Sequence, residues 1–101
     1  MKTIKQVPVQ FEFTNGEESL PPFKEMIEGV IYISIEYGCS QHKCLCGCGE
    51  IATMSLKPTW ENGWDLIENK KDVYSFMPSI GNYNFPCKSH YIITNNKANF
   101  V

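Results

Sequence analysis

Four cysteines and two histidines fall into two short knots, and no other feature limits the fold of this chain as much. The knots are His42-Lys43-Cys44-Leu45-Cys46-Gly47-Cys48-Gly49 and Cys87-Lys88-Ser89-His90. Cys44, Cys46 and Cys48 alternate with single residues, so the run cannot easily fold its thiols into three separate disulfides. Thiolate sulfur and neutral imidazole are ligands that zinc prefers, and the glycines let the backbone curl around an ion. The spacing predicts two knuckles closing on one metal. Any fold must then bring together segments that lie far apart in the chain, and such closure stabilises by tying them.

There are more candidate ligands than the four places zinc offers. In one allocation Cys44, Cys46, Cys48 and Cys87 fill a closed thiolate site with no position left for water, which is a structural site. In another, His90 replaces one cysteine, since Cys87 and His90 have the C-x-x-H spacing of half a zinc site. Thiolate-rich sites are seldom hydrolytic, because sulfur donation reduces the Lewis acidity of the ion. A redox cluster is disfavoured because no C-x-x-C stands at a helix N-terminus. Cys39 stands apart at the end of an apolar run and reads as a small buried residue.

The 101 residues suffice for one domain, residues 1–101, in which a metal would help a marginal core. With 43% hydrophobic and 13% aromatic residues, a folded globule is expected. Net charge is −2, and all nine basic residues are lysines, with no cluster of the kind that phosphate readers use. Nucleic acid is therefore not expected as a partner. No apolar core follows Lys2 and Lys5, so the N-terminus does not read as a secretory signal. The longest apolar stretch, residues 30–35, is too short to cross a bilayer. A cytoplasmic, reducing compartment is expected, where an odd count of five cysteines favours metal over disulfides.

Val9-Gln10-Phe11-Glu12-Phe13 alternates as a half-buried strand does, and Asn15-Gly16 ends it. Residues 24–28 could make one helical turn, ended by Gly29. Residues 30–37 read as a central strand, rich in β-branched and aromatic side chains. Further strands are expected at 51–56, at 60–66 interrupted by Asn62-Gly63, at 72–77, at 89–94, and at 97–101 after an Asn95-Asn96 turn. Residues 79–86 read as a loop. The sum is five to seven short strands and little helix: a mainly β domain, either a small sandwich or a partly open barrel, stapled by one zinc between two strand-end knuckles.

If thiolates satisfy the metal, His42 and His90 are left over, each within or beside a knuckle. Serines lie close by: Ser89 beside His90, and Ser79 in Met77-Pro78-Ser79-Ile80-Gly81. A serine hydroxyl becomes a nucleophile when an imidazole can take its proton. Pro-Ser-x-Gly is also an everyday turn, however. His42 reads equally as a surface residue or a hydrogen bond to sulfur, and His90 as a metal ligand. Trp60, Trp64, Tyr74, Phe76 and Phe85 read as core or as a wall over the metal. Asp65 and Asp72 could orient a histidine, but their spacing selects neither.

The combination H-x-C-x-C-G-C-G at 42–49, P-S-I-G at 78–81 and C-x-S-H-Y-x-I at 87–93 resembles a bacterial family of small cysteine-rich proteins. Its members occur beside genes for ubiquitin-like modifiers and their activating and conjugating enzymes. The resemblance runs over residues 29–99 and includes Trp60, while Cys39 falls outside its pattern. It implies a peptidase that trims a modifier precursor or removes a modifier. His42, Ser79, Ser89 and His90 become the catalytic candidates, and Cys44, Cys46, Cys48 and Cys87 the candidate ligands of Zn2+. In a serine version Ser79 attacks, with His42 or His90 as base and zinc as a brace. In a metallopeptidase version zinc holds water, with His90 and only two cysteines as ligands. The alternative is a non-catalytic, zinc-stapled adaptor that binds a ubiquitin-like modifier or its conjugating enzyme. Neither reading involves a membrane.

Overall fold

Val9 is a corner at which one extended run passes from one sheet to another. The run is β1 (Gln6–Pro8) and β2 (Gln10–Phe13) in a computed structural model that describes residues 6–14, 19–57, 59–81 and 86–100. The Val9 amide donates to the Asn96 carbonyl at 2.9 Å, and the next amide, of Gln10, donates to Gly29 at 2.8 Å. The side chain of Val9 is buried between the sheets. The sequence pattern joined this residue to the strand that follows it. Its burial comes from the turn between sheets, not from alternation within one.

β2 lies parallel to β3 (Val30–Ser34), with Gln10 opposite Val30 and Phe13 opposite Ile33. Parallel neighbours need a crossover, and this one includes a 3-10 turn at Phe23–Glu25, where one helical turn was expected at 24–28. All five residues of β3 are buried, as its apolar composition requires of a central strand. It ends at Ser34, three residues earlier than its composition suggests, because the chain turns there toward β4 (Cys39–Lys43). β5 (Ile51–Ser55) completes a sheet of order β2-β3-β4-β5. β4 was not expected. Cys-Ser-Gln-His-Lys has no β-branched residue and no Phe, Tyr or Trp, and it becomes a strand through pairing with β3 on one side and β5 on the other.

β6 (Asp65–Lys70) and β7 (Val73–Met77) form an antiparallel pair with a register shift between Glu68 and Lys70. β8 (Ile80–Gly81), β9 (His90–Thr94) and β10 (Lys97–Phe100) join β1 in a second four-stranded sheet of order β1-β10-β9-β8. Asn95 and Asn96 carry φ of 49° and 61°, the left-handed pair that a two-residue hairpin demands, so the expected turn forms. The ten strands among the described residues exceed the expected five to seven because β1, β4 and β8 had no clear pattern of their own, and the strand expected at 60–66 forms later, at Asp65–Lys70.

The mainly β class is as expected, and no α-helix occurs among the described residues. The three sheets are open and share one core, in which Ile31, Ile33, Phe76, Ile80, Tyr91 and Ile93 are at most 2% exposed. Each such side chain contributes roughly 1.5–3 kcal/mol by leaving water. No helix among the described residues is long and apolar enough to cross a membrane.

Candidate active site

Two centres form at the end of this core, and residues 87–90 belong to both. The first is the cysteine cluster. Cys44, Cys46 and Cys48 lie in the tip that joins β4 to β5, and Cys87 lies just before β9, so both knuckles stand at strand ends. The tip closes through the Cys44 amide on the Glu50 carbonyl at 2.7 Å and the Gly47 amide on the Cys44 carbonyl at 3.0 Å. Gly47 and Gly49 have φ of 87° and 89°, which ordinary side chains resist. The curl that draws the three sulfurs together therefore depends on glycine.

The four sulfurs lie within 4.8 Å of one another. Cys44 Sγ is 3.4 Å from Cys46 Sγ and 3.8 Å from Cys87 Sγ. Four thiolates around zinc stand about 3.8 Å apart, given zinc–sulfur bonds of about 2.3 Å. The donor set and its spacing thus fit one tetrahedral ion, and these four cysteines could hold a metal. Their acidities diverge. Desolvation, with hydrogen bonds shared with Cys44, Cys48 and Cys87, pushes the Cys46 thiol up to about 12, and desolvation raises Cys48 as well. The Ser89 hydroxyl and backbone amide draw Cys87 down to about 6. A cation among the four sulfurs would favour every thiolate at once. Cys39 lies on β4 outside the cluster, half-buried, with its thiol raised by burial.

The second centre is a serine and a histidine. His90 Nε2 lies 2.6 Å from Ser79 Oγ. Ser79 follows the cis Met77–Pro78 bond and leads into β8, whose Gly81 is opposite His90 in β9. Ser79 and Gly81 share a face by alternation, which makes Ser79 the diagonal neighbour of His90. Gly81 presents no side chain, so the imidazole can lean across toward the hydroxyl. The loop expected at 79–86 thus begins as the strand that sets this geometry, with Ser79 half-buried beside it.

Trp64, read from sequence as core or wall, is half-buried and also reaches this centre. Its indole N–H donates to the Ser79 carbonyl at 3.4 Å. Its own backbone is fixed to the end of β5, since its amide donates to Ser55 at 2.8 Å and its carbonyl accepts from Lys57 at 3.0 Å. A side chain at Gly63 would run into the Ser55 carbonyl and the Leu56 backbone, so glycine at 63 permits this approach. The Asn62-Gly63 pair was a visible turn signal. The indole contact had none.

The other two catalytic candidates stand elsewhere. His42 is fully buried on β4, with Nε2 2.8 Å from Tyr91 Oη and the two rings edge to face. Its Nδ1 has no hydrogen-bond partner among the described residues. Burial pulls its pKa down to about 4, so the ring is neutral near pH 7. Ser89 Oγ lies 3.0 Å from Cys44 Sγ and 3.4 Å from Cys87 Sγ, within the cysteine cluster. Asp65 forms an ion pair with Lys57 at 3.7 Å, and the Asp72 carbonyl accepts from Asn96 at 2.9 Å. A groove of about 530 Å3 lined by Phe13, Leu20, Pro22, Ile27 and Tyr32 includes neither Ser79 nor His90. The serine–histidine centre lies at the sheet surface instead.

A family model described as bacterial ubiquitination-like system serine protease (BubE) matches residues 17–101. The match extends further toward the N-terminus than the motifs alone. No curated protein and no solved structure matches the chain.

Proposed function

This chain belongs to the BubE family of bacterial ubiquitination-like system serine proteases, and from that premise we propose that Ser79 is the nucleophile and His90 its base. The observation that carries the assignment is the 2.6 Å approach of His90 Nε2 to Ser79 Oγ. The substrate in this reading is a ubiquitin-like modifier, cut at the C-terminal end of its precursor or released from a conjugate.

The chemistry follows from that contact. His90 Nε2 takes the hydroxyl proton as Ser79 Oγ bonds to the scissile carbonyl carbon. The imidazolium then returns the proton to the departing amine as the C–N bond breaks, leaving an acyl ester on Ser79. Water, deprotonated by the same imidazole, attacks the ester carbonyl; the bond to Ser79 Oγ breaks, Oγ takes the proton back from the imidazolium, and the new carboxylate is freed. Trp64 restrains the Ser79 backbone during both attacks. His42, sealed in the core and neutral, is assigned to packing, and Ser89 to the cysteine cluster.

Cys44, Cys46, Cys48 and Cys87 would hold zinc, which supplies a structural tie between the β4–β5 tip and the start of β9. His90 is then not a ligand, since four sulfurs already gather together and its Nε2 engages Ser79. These contacts support the serine version over metal-bound water.

The test is cleavage of a C-terminally extended modifier precursor by the purified protein. Ser79→Ala should cut at least about a thousandfold more slowly while keeping its fold and metal content. A Ser79→Ala protein as active as the wild type would remove the assignment. Absence of cleavage by the wild type would favour the adaptor.

A further inference from the structure

The Ser79–His90 couple shares a sheet face with exposed side chains that the chemistry above does not use. In β9, Tyr91 and Ile93 turn into the core, so His90, Ile92 and Thr94 project from the opposite face. The register carries this face across the sheet. Ile92 is paired with Asn99 and Thr94 with Lys97. These in turn are paired with Gln6 and Pro8 of β1. On the other side, Ile80 pairs with Tyr91 and Gly81 with His90, and one further step of that ladder sets Ser79 against Ile92. Ile92 is 40% exposed and Met77, two residues before Ser79, is 57% exposed.

We infer that the outer face of sheet β1-β10-β9-β8 is the floor on which the polypeptide substrate lies, with Ile92 as a specificity contact for an apolar side chain flanking the scissile bond. The inference rests on Ser79 and His90 being the reacting couple. Neighbouring strands are about 4.8 Å apart, so a carbonyl carbon in reach of Ser79 Oγ sits within about one strand spacing of Ile92. Substrate chain leaving the reacting carbon toward β10 must cross it. Past Ile92 the face turns polar: Gln6 Nε2 donates to Asn99 Oδ1 at 2.7 Å, and Lys97 stands exposed beside them. An apolar contact at the bond to be cut, bordered by amides and a cation, suits a chain that is apolar at the cleavage point and polar or acidic on one flank. Desolvated centres with wet rims are how protein surfaces divide affinity from specificity.

Ile92 is solvent-facing, so Ile92→Lys should fold. Two substrates report on it: the modifier precursor carrying a C-terminal reporter domain, and p-nitrophenyl acetate, which needs only the couple. Loss of an apolar contact beside a reacting centre is worth roughly 10–200-fold. Ile92→Lys should therefore raise KM for the precursor at least about tenfold, with a smaller change in kcat and a smaller loss of ester hydrolysis. Ile35→Lys, an exposed position outside this face, should leave both substrates as they were. A wild-type KM for Ile92→Lys overturns the inference. Equal loss of ester and precursor cleavage also overturns it, since the couple itself would then be disturbed, and so does a KM rise of the same size in Ile35→Lys. Retained cleavage by Ser79→Ala is a different failure, because it removes the couple rather than the face.

Discussion

Cys87 and His90 stand three residues apart at the start of β9 and face different centres. Cys87 Sγ is 3.8 Å from Cys44 Sγ, while His90 Nε2 is 2.6 Å from Ser79 Oγ. Between them, Ser89 Oγ lies 3.0 Å from Cys44 Sγ. One short segment thus ties the sulfur cluster to the imidazole, and disturbance of the cluster should be felt at His90.

Purified protein is expected to carry one equivalent of zinc per chain, measured by elemental analysis. Cys87→Ser should lose most of that metal. The tie it breaks spans the chain from the β4–β5 tip to β9, so unfolding should move down by at least about 10 °C, given about 4–8 °C per kcal/mol for a domain of this size. Cleavage at a temperature where the variant remains folded should fall too, because residues 87–90 lose their anchor. A Cys87→Ser protein with full metal content and an unchanged melting temperature would take Cys87 out of the ligand set.

Trp64 offers a finer test of the same centre. Trp64→Phe keeps an aromatic ring in place but loses the indole N–H that reaches the Ser79 carbonyl at 3.4 Å. A typical neutral hydrogen bond is worth about 0.5–1.5 kcal/mol. The expected result is a kcat lower by roughly two- to tenfold, with KM nearly constant and the melting temperature within a few degrees of wild type. A rise in KM with constant kcat would place Trp64 in substrate binding instead of nucleophile positioning.

His42 is expected to matter for stability and not for proton transfer. Its ring is fully buried and bonded to Tyr91 Oη. His42→Ala should cost about 2–4 kcal/mol through the cavity it opens, read by denaturant unfolding. Cleavage per folded molecule should persist. Loss of kcat in a folded His42→Ala protein would reopen its candidacy as base.

These contrasts show what the residues could and could not say in one dimension. The gathering of the four cysteines was legible because candidate metal ligands are recognised by type and spacing, and the glycines between them are needed for the curl whatever the surroundings. The Asn95-Asn96 hairpin and the β3 core strand were legible for the same reason: local chemistry dictates them. β4 was not, because Ser40 and His42 are buried by partners on β3 and β5, and a polar strand has no pattern to announce this. The choice between His42 and His90 was likewise hidden. Both sit beside a knuckle, and only the ladder from β8 to β9 decides which imidazole leans toward Ser79. The Trp64 contact depends on where a bridge to Leu56 places the indole, which no spacing encodes.

Asn96 supplies the last prediction, because one side chain and its backbone join three parts of the fold. Its Oδ1 accepts from the Tyr74 amide at 2.8 Å and its Nδ2 donates to the Asp72 carbonyl at 2.9 Å. Its own amide donates to the Tyr74 carbonyl at 2.9 Å, and its carbonyl accepts from Val9 at 2.9 Å. Asn96 therefore clamps the β9–β10 hairpin to the β6–β7 turn and to the corner between β1 and β2. Asn96→Ala removes the two side-chain bonds and places alanine at φ 61°, where asparagine is tolerated and alanine is not. Two hydrogen bonds at about 1 kcal/mol each and roughly 1 kcal/mol of backbone strain predict a loss of about 3 kcal/mol. Asn96→Gly relieves the strain and loses only the bonds, so it should fall between wild type and Asn96→Ala in denaturant unfolding. If glycine proved as damaging as alanine, the side-chain clamp alone would account for the role of Asn96, and the left-handed turn would carry no separate share.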